Sequence, residues 1–258
     1  MSLVKVGDLQ IGYSEAGKAT SRTPLVFLHG VGSDKSVWDF QLKELSKNRR
    51  VAALDYAGYG ESDVPEIDLT RREIAAYVFG AMDALEITKA HVCGLSMGGI
   101  VALEMFAQSP KRIESLVLAN TFARHPNGAE IAERSINFIE NHSMREFAGQ
   151  RVGFLLAPQT SAEVRRQVVE TMARIDKKSY RWASAAVWTA DYLDLLPTIN
   201  IPTLVIGGSL DQPTPPHLSR ELAENIRGGK LAVIQNAAHL SNLDEPAIFN
   251  ELLKAFLS

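Results

Sequence analysis

Gly94-Leu95-Ser96-Met97-Gly98 lies between Ala90-His91-Val92-Cys93, an apolar run of strand length, and Ile100 to Gln108, a run of helical character. A serine flanked by glycine two residues away on each side, at a strand-to-helix junction, predicts a sharp turn that lifts its hydroxyl above a sheet. Glycine suits the positions where a Cβ would obstruct the backbone or the neighbouring strands. The helix that follows aims its free N–H groups at the serine and favours negative charge there. Taken alone the pattern also describes an ordinary loop, so the reading depends on partners elsewhere.

Two partners follow in chain order. The strand-like run Thr203-Leu204-Val205-Ile206-Gly207 leads to Gly208-Ser209-Leu210-Asp211, and Lys230-Leu231-Ala232-Val233-Ile234 leads to Asn236-Ala237-Ala238-His239. An acid just past one strand and a histidine just past the next are expected at the carboxyl edge of a parallel sheet, where ligands bind. Serine is a poor nucleophile until a base takes its proton, and a carboxylate must hold the imidazole in the right tautomer. Ser96, Asp211 and His239 are therefore the expected catalytic residues. The rival acids are Asp55, Asp63 and Asp191, with Asp55 better suited to holding the Ala57-Gly58-Tyr59-Gly60 turn through backbone N–H groups.

A fourth part precedes the serine. Leu25-Val26-Phe27-Leu28 reads as a strand ending in His29-Gly30-Val31-Gly32. With a serine turn of this kind, the oxyanion donors are the backbone N–H after the serine, here Met97, and one from the earlier loop, here Val31. Such a donor pair is typically the largest single term in acyl transfer. His29 reads as a structural residue of that loop, with a place in the substrate pocket as its other reading.

Together these stretches resemble the α/β-hydrolase family nearly end to end. Leu28-His29-Gly30, Asp55-Tyr56-Ala57-Gly58-Tyr59-Gly60-Glu61-Ser62, Gly94 to Gly99, Pro202 to Gly207 and His239 carry the resemblance. Within the family the chain is most similar to the 3-oxoadipate enol-lactonases of aromatic-compound breakdown, through Gly94 to Ile100, Arg112 to Thr121 and Ala238-His239-Leu240-Ser241-Asn242. The resemblance implies a hydrolase of a small ester or lactone and weakens between about Phe122 and Leu193. Enol-lactonases carry an Arg-Asp pair near the end of that region, whereas Ala186-Val187-Trp188-Thr189-Ala190-Asp191 has Trp188 in the arginine's position.

The rest of the chain agrees. Its 258 residues, 46% of them apolar, suffice for one sheet-centred core. A net charge of −3 implies no pull toward nucleic acid or an anionic membrane. The single Cys93 excludes an internal disulfide and reads as a small buried side chain. Met1 to Gln10 has no apolar stretch after a basic start, and no apolar run approaches membrane-spanning length, so a cytoplasmic location is expected. With no H-E-x-x-H and no phosphate loop, neither a metal nor any cofactor is expected. Oligomeric state is left open.

Strands and helices alternate, predicting an α/β fold with a mostly parallel central sheet and helices on both faces. The alternation breaks between residues 122 and 196, where four helical stretches are expected: Glu130 to Glu140, Met144 to Phe154, Ala162 to Ala173 and Tyr180 to Leu196. By the resemblance this is a helical cap, leaving 1–121 and 197–258 as the hydrolase core. Phe122, Trp182 and Trp188 are its candidate substrate contacts. Serine at the turn argues against the dehalogenases and epoxide hydrolases of the fold, which use aspartate. A general carboxylesterase, a carbon–carbon bond hydrolase, a cofactor-free perhydrolase and a ligand receptor share the same motifs.

Overall fold

The opening hairpin follows from its turn: β1 (Ser2–Val6) and β2 (Leu9–Ala16) are joined through Gly7, whose φ of +58° suits glycine. The next elements alternate: β3 (Leu25–Leu28), α1 (Asp39–Leu45), β4 (Val51–Leu54), α2 (Arg71–Ala84), β5 (Ala90–Leu95), α3 (Met97–Gln108) and β6 (Ile113–Ala119). In this computed structural model, which describes residues 2–18 and 20–258, Met1 of the segment read for a leader lies outside the described residues. Both β3 and β4 are buried along their whole length, as a parallel strand covered on both faces must be. Thr70 caps α2 in a reciprocal box: its hydroxyl accepts from the Glu73 N–H at 3.3 Å, and the Glu73 carboxylate accepts from the Thr70 N–H at 2.8 Å.

After β6 come four helices, α4 (Gly128–Asn141), α5 (Met144–Leu155), α6 (Ala162–Ala173) and α7 (Lys177–Trp188). The chain then returns through β7 (Thr203–Gly208), α8 (Pro216–Asn225), β8 (Lys230–Ile234), the single turn α9 (Ser241–Asp244) and α10 (Pro246–Phe256). The eight strands form one sheet in the order β1-β2-β4-β3-β5-β6-β7-β8. β1 and β2 run antiparallel to their neighbours and all the other pairs are parallel. Helices pack on both faces, α2 with α3 and α1 with α10.

Register is what builds an active edge. Leu28 pairs Gly94, Leu95 pairs Ala119, Ala119 pairs Ile206 and Gly208 pairs Ile234. The loops after β3, β5, β6, β7 and β8 therefore emerge side by side. The strand order reverses direction at β3, whose two neighbours are β4 and β5, and a ligand crevice is expected at such a switch point.

The last helix of the insertion departs from the expected Tyr180 to Leu196. The Asp176 carboxylate accepts from the Ser179 N–H at 2.8 Å and starts α7 earlier, at Lys177. α7 stops at Trp188, and the chain beyond it pairs with the segment that enters the insertion. Tyr192 N–H donates to the Ala123 carbonyl at 3.0 Å, and Arg124 and Asp191 form an isolated bridge. The two ends of the insertion thus lie against each other.

Asp244, just before α10, joins the insertion to the sheet edge. Its carboxylate accepts from Ala238 N–H at 2.7 Å, from Ala157 N–H at 3.1 Å and from the Thr160 hydroxyl. With Leu240 N–H on the Leu155 carbonyl at 2.9 Å, it ties the end of α5 to the loop that carries His239. Among the described residues no helix is long and apolar enough to cross a membrane.

Candidate active site

Ser96 sits between β5 and α3 with φ +55° and ψ −115°, a conformation that a non-glycine residue adopts only under the constraint of its surroundings. Such strain typically amounts to about 1–3 kcal/mol. The constraint is visible. Ser96 N–H donates to the Ala119 carbonyl at 2.9 Å, and the Thr121 hydroxyl donates to the Ser96 carbonyl at 2.8 Å. The flanking glycines are required by close approach: a Cβ on Gly94 would lie 2.1 Å from the Gly98 carbonyl oxygen, and one on Gly98 would lie 2.1 Å from that of Leu28.

His239, just past β8, points Nδ1 at Asp211, just past β7, at 3.0 and 3.1 Å from the two carboxylate oxygens. Both side chains are buried. Two residues that the motif reading missed complete the arrangement. Asn120 Nδ2 donates to Asp211 Oδ2 at 2.8 Å, and Thr214 donates to the same carboxylate through its N–H at 2.9 Å and its hydroxyl at 2.7 Å. Asn120 is itself held, accepting from the Ser241 hydroxyl at 2.5 Å. Burial pushes the Asp211 carboxyl up, but the charge and hydrogen bond of His239, with those of Asn120 and Thr214, hold it below its ordinary value. The acid therefore stays ionised beside the imidazole. The signal for Asn120 was in the sequence: a polar residue directly after a buried strand, of a type that tolerates its φ of +47°.

Ser96 and His239 line one small cavity with Gly30, Val31, Gly32, Ser33, Arg151, Leu155, Val168, Met172, Tyr180, Trp188 and Leu240. No hydrogen bond joins the Ser96 hydroxyl to His239 among the described residues, and catalytic contacts of this kind commonly tighten only with substrate bound. Val31 N–H and Met97 N–H, the first helical donor of α3, likewise have no backbone acceptor among the described residues. Gly30 packs so close that an added Cβ would lie 3.4 Å from the Ser96 Cβ. The cavity measures about 30 Å³, enough for water and too small for a ring-sized substrate, so a substrate requires the lining side chains to shift.

The loop after β3 is fixed from behind. The Asp55 carboxylate accepts from Lys35 N–H at 2.8 Å, from Glu61 N–H at 3.0 Å and from the Lys35 ammonium at 2.6 Å. Asp55 thus joins the Val31 loop to the Tyr56–Gly60 turn and stands apart from His239.

Of the candidate substrate contacts, Trp188 lines the cavity and three do not. His29 is fully buried, with Nδ1 2.8 Å from the Gly30 carbonyl oxygen and its ring against Tyr56 and Tyr59; burial holds its pKa down. Phe122 stacks behind Trp188 at 5.5 Å between ring centroids. Trp182 packs edge-on against Tyr59 and faces a separate groove beside Arg71 and Glu104. Arg151, Leu155, Val168, Met172 and Tyr180 take the places that the aromatic reading assigned to them. For Trp182 the reason is its phase on α7; His29 and Phe122 lie in loops after β3 and β6, where packing sets their directions.

A second, larger cleft of about 610 Å³ adjoins this cavity between α4, α5 and the loop leading to α8. His125 and His217 line it. His91 is elsewhere, with Nδ1 2.7 Å from the Ser115 hydroxyl, and His142 stacks on Phe138. Cys93 is buried. Among the described residues no group of His, Cys, Asp and Glu is arranged to hold a metal ion.

Comparison with known proteins agrees in extent with this geometry. The sequence profile of the alpha/beta hydrolase fold family matches residues 23–246. A 3-oxoadipate enol-lactonase of Acinetobacter baylyi is 30% identical over 241 residues, covering 90% of this chain and 88% of the relative. The crystal structure of an enol-lactonase from Burkholderia xenovorans is 29% identical, with a TM-score of 0.91 and coverage of 99% of each chain. A hydrolase from Pseudomonas aeruginosa is 31% identical with a TM-score of 0.92, covering 100% of this chain and 98% of its own.

Proposed function

The chain belongs to the α/β-hydrolase family, and from that premise we propose that it is a serine hydrolase of a small ester or lactone, with 3-oxoadipate enol-lactone as the leading substrate. One observation carries the reading: an imidazole bonded to a carboxylate that is itself held by Asn120 and Thr214, in the same cavity as a strained serine. The names of the enol-lactonase relatives support the choice of substrate.

Ser96 Oγ attacks the carbonyl carbon while its proton passes to His239 Nε2. Asp211 keeps Nδ1 protonated and stabilises the imidazolium. The oxyanion sits between the N–H groups of Val31 and Met97. When the acyl–oxygen bond breaks, the leaving oxygen takes the proton from His239. Water then attacks the acyl-serine, gives a proton to His239, and the serine departs with it. One water is consumed and one carboxylic acid is formed. From an enol-lactone the leaving oxygen departs as an enol that tautomerises to a ketone, and the tether keeps both halves in one product. We read residues 122–196 as the cap that closes over this chemistry, and the contacts of Asp244 and Leu155 with the His239 loop support that role. A carboxylesterase with an apolar acyl pocket is the second reading, favoured by Leu155, Val168, Met172 and Trp188 in the cavity wall.

The test is turnover of freshly generated enol-lactone and of a simple activated ester by wild type and by Ser96→Ala. Loss on the order of a million-fold in kcat is expected for both substrates. Wild-type turnover in a folded Ser96→Ala protein would overturn the mechanism. Ester cleavage without lactone cleavage would leave the serine chemistry and replace the substrate.

A further inference from the structure

The cap supplies several arginines, and most are engaged. Arg124 pairs with Asp191, Arg145 with Glu170, Arg174 with Asp34 and Arg181 with Asp68, while Arg165 donates to the Thr160 and Ala157 carbonyls. Arg134 and Arg166 likewise make no ion pair among the described residues, and Arg134 lines the outer cleft, but of these arginines it is Arg151, on α5, that reaches the cavity of Ser96. Its Nε is buried without a hydrogen-bond partner, and no carboxylate lies within ion-pair distance among the described residues. The guanidinium stands 5.7 Å from the Phe147 ring centroid, a contact that holds a cation without neutralising it. Arg151 and Trp188 are also the two residues that line both the cavity of Ser96 and the 610 Å³ cleft beside it. Among the described residues no acid lines the inner cavity, and Glu130 is the one acid of the outer cleft.

From this geometry we infer that Arg151 is the specificity residue of the hydrolase: it binds a carboxylate on the substrate, at the wall between the catalytic cavity and the outer cleft. The inference rests on the serine-hydrolase reading above. A partly buried guanidinium presents a planar fork that a carboxylate matches with two hydrogen bonds. One arginine without a second cation in the inner cavity suits a singly charged carboxylate better than a doubly charged phosphate. Trp188, stacked on Phe122, supplies a flat apolar face beside that charge. The substrate is then an ester or lactone with its carbonyl over Ser96 and an anionic arm reaching toward α5. With about 30 Å³ inside and about 610 Å³ outside, the outer cleft has the room for the rest of the molecule.

The probes are mono-4-nitrophenyl glutarate and 4-nitrophenyl pentanoate, which have the same chain length and differ in the terminal carboxylate. Wild type, Arg151→Met and Arg151→Lys are compared by kcat and KM. Arg151→Met is expected to lower kcat/KM for the anionic ester by roughly 10- to 100-fold, chiefly through KM, the scale of a charged hydrogen bond. The neutral ester should change by less than about threefold, because it never used the charge. Arg151→Lys, which keeps the charge and loses the fork, should fall between. Equal losses on the two esters, or none on either, would overturn the inference. If Arg151→Met fails to fold, the same two-ester ratio in Arg151→Lys decides. Absence of Ser96-dependent turnover of the neutral ester by wild type would instead defeat the serine-hydrolase reading, so the two failures are distinct.

Discussion

The carboxyl edge of the sheet and the helical insertion face the same cavity and are built in opposite ways. At the sheet edge the two buried carboxylates have partners: Asp211 is met by His239, Asn120 and Thr214, and Asp55 by Lys35 and the Glu61 N–H. Ser96 is pinned by Ala119 and Thr121 in a strained conformation. The insertion presents Leu155, Val168, Met172 and Trp188, side chains held by packing alone, together with Arg151 and its unpartnered Nε. On the proposed serine-hydrolase reading the difference separates two tasks. Proton transfer tolerates little displacement, so its groups sit on hydrogen-bonded strand ends. Substrate choice needs a wall that can be reshaped, and helices bearing flexible side chains provide one.

That contrast can be broken most directly at the acid. Asp211→Asn keeps the shape but favours the wrong imidazole tautomer, and kcat should fall by about 10⁴-fold. Steady-state kinetics on an activated ester measure it; a loss below tenfold would mean that the ordered edge does not serve catalysis. Arg151→Met is the counterpart on the insertion, with its effect confined to anionic substrates.

Asn120→Ala sharpens the same side of the comparison. It removes one hydrogen bond to an ionised carboxylate, worth about 1.5–3 kcal/mol, so kcat should drop about 10- to 100-fold. The acid limb of stability should move as well. The Asp211 pKa lies below its ordinary value of 3.8, so its contribution is present above that pH and lost as pH falls through the folded value. With one favourable bond gone the folded value rises toward 3.8, and the contribution above pH 4 shrinks. Thermal denaturation of both proteins from pH 3 to 7 reads this. Parallel curves would show that Asn120 does not bear on the ionised acid.

The smallest effect belongs to the seam between the regions. Asp244→Ala leaves the N–H groups of Ala157 and Ala238 without their acceptor, a loss of about 1–3 kcal/mol. Tm should fall by several degrees, while kcat on a small ester changes less than KM, since the reacting groups keep their own bonds. An unchanged Tm would mean that the two regions are joined by packing rather than by this carboxylate.

The sequence made the sheet edge legible because its parts are local. A strand is an apolar run, a helix start carries its own cap, and each catalytic candidate lies within a few residues of a strand end. The capping box of Thr70 and the proline start of α10 follow from the same local rules. Legibility declined in the insertion. The aromatic residues there were readable as bulky, but their directions depend on helical phase and packing. Trp188 reaches the cavity, whereas Trp182 turns toward Tyr59 and Phe122 lies behind. The end of α7 was misread because pairing between Ala123 and Tyr192 joins positions far apart in the chain.

The sequence alone determined the fold class, the order of its strands and helices along the chain, and the serine, acid and histidine that the strand ends carry, because each follows from short-range pattern. Only the tertiary structure decided what surrounds them. That Asn120 and Thr214 meet Asp211, that Asp244 ties α5 to the histidine loop, and that Arg151 brings to the cavity of Ser96 a guanidinium with no ion-pair partner among the described residues all depend on distant segments packing together. Such contacts are made in three dimensions, and no periodicity in the chain records them.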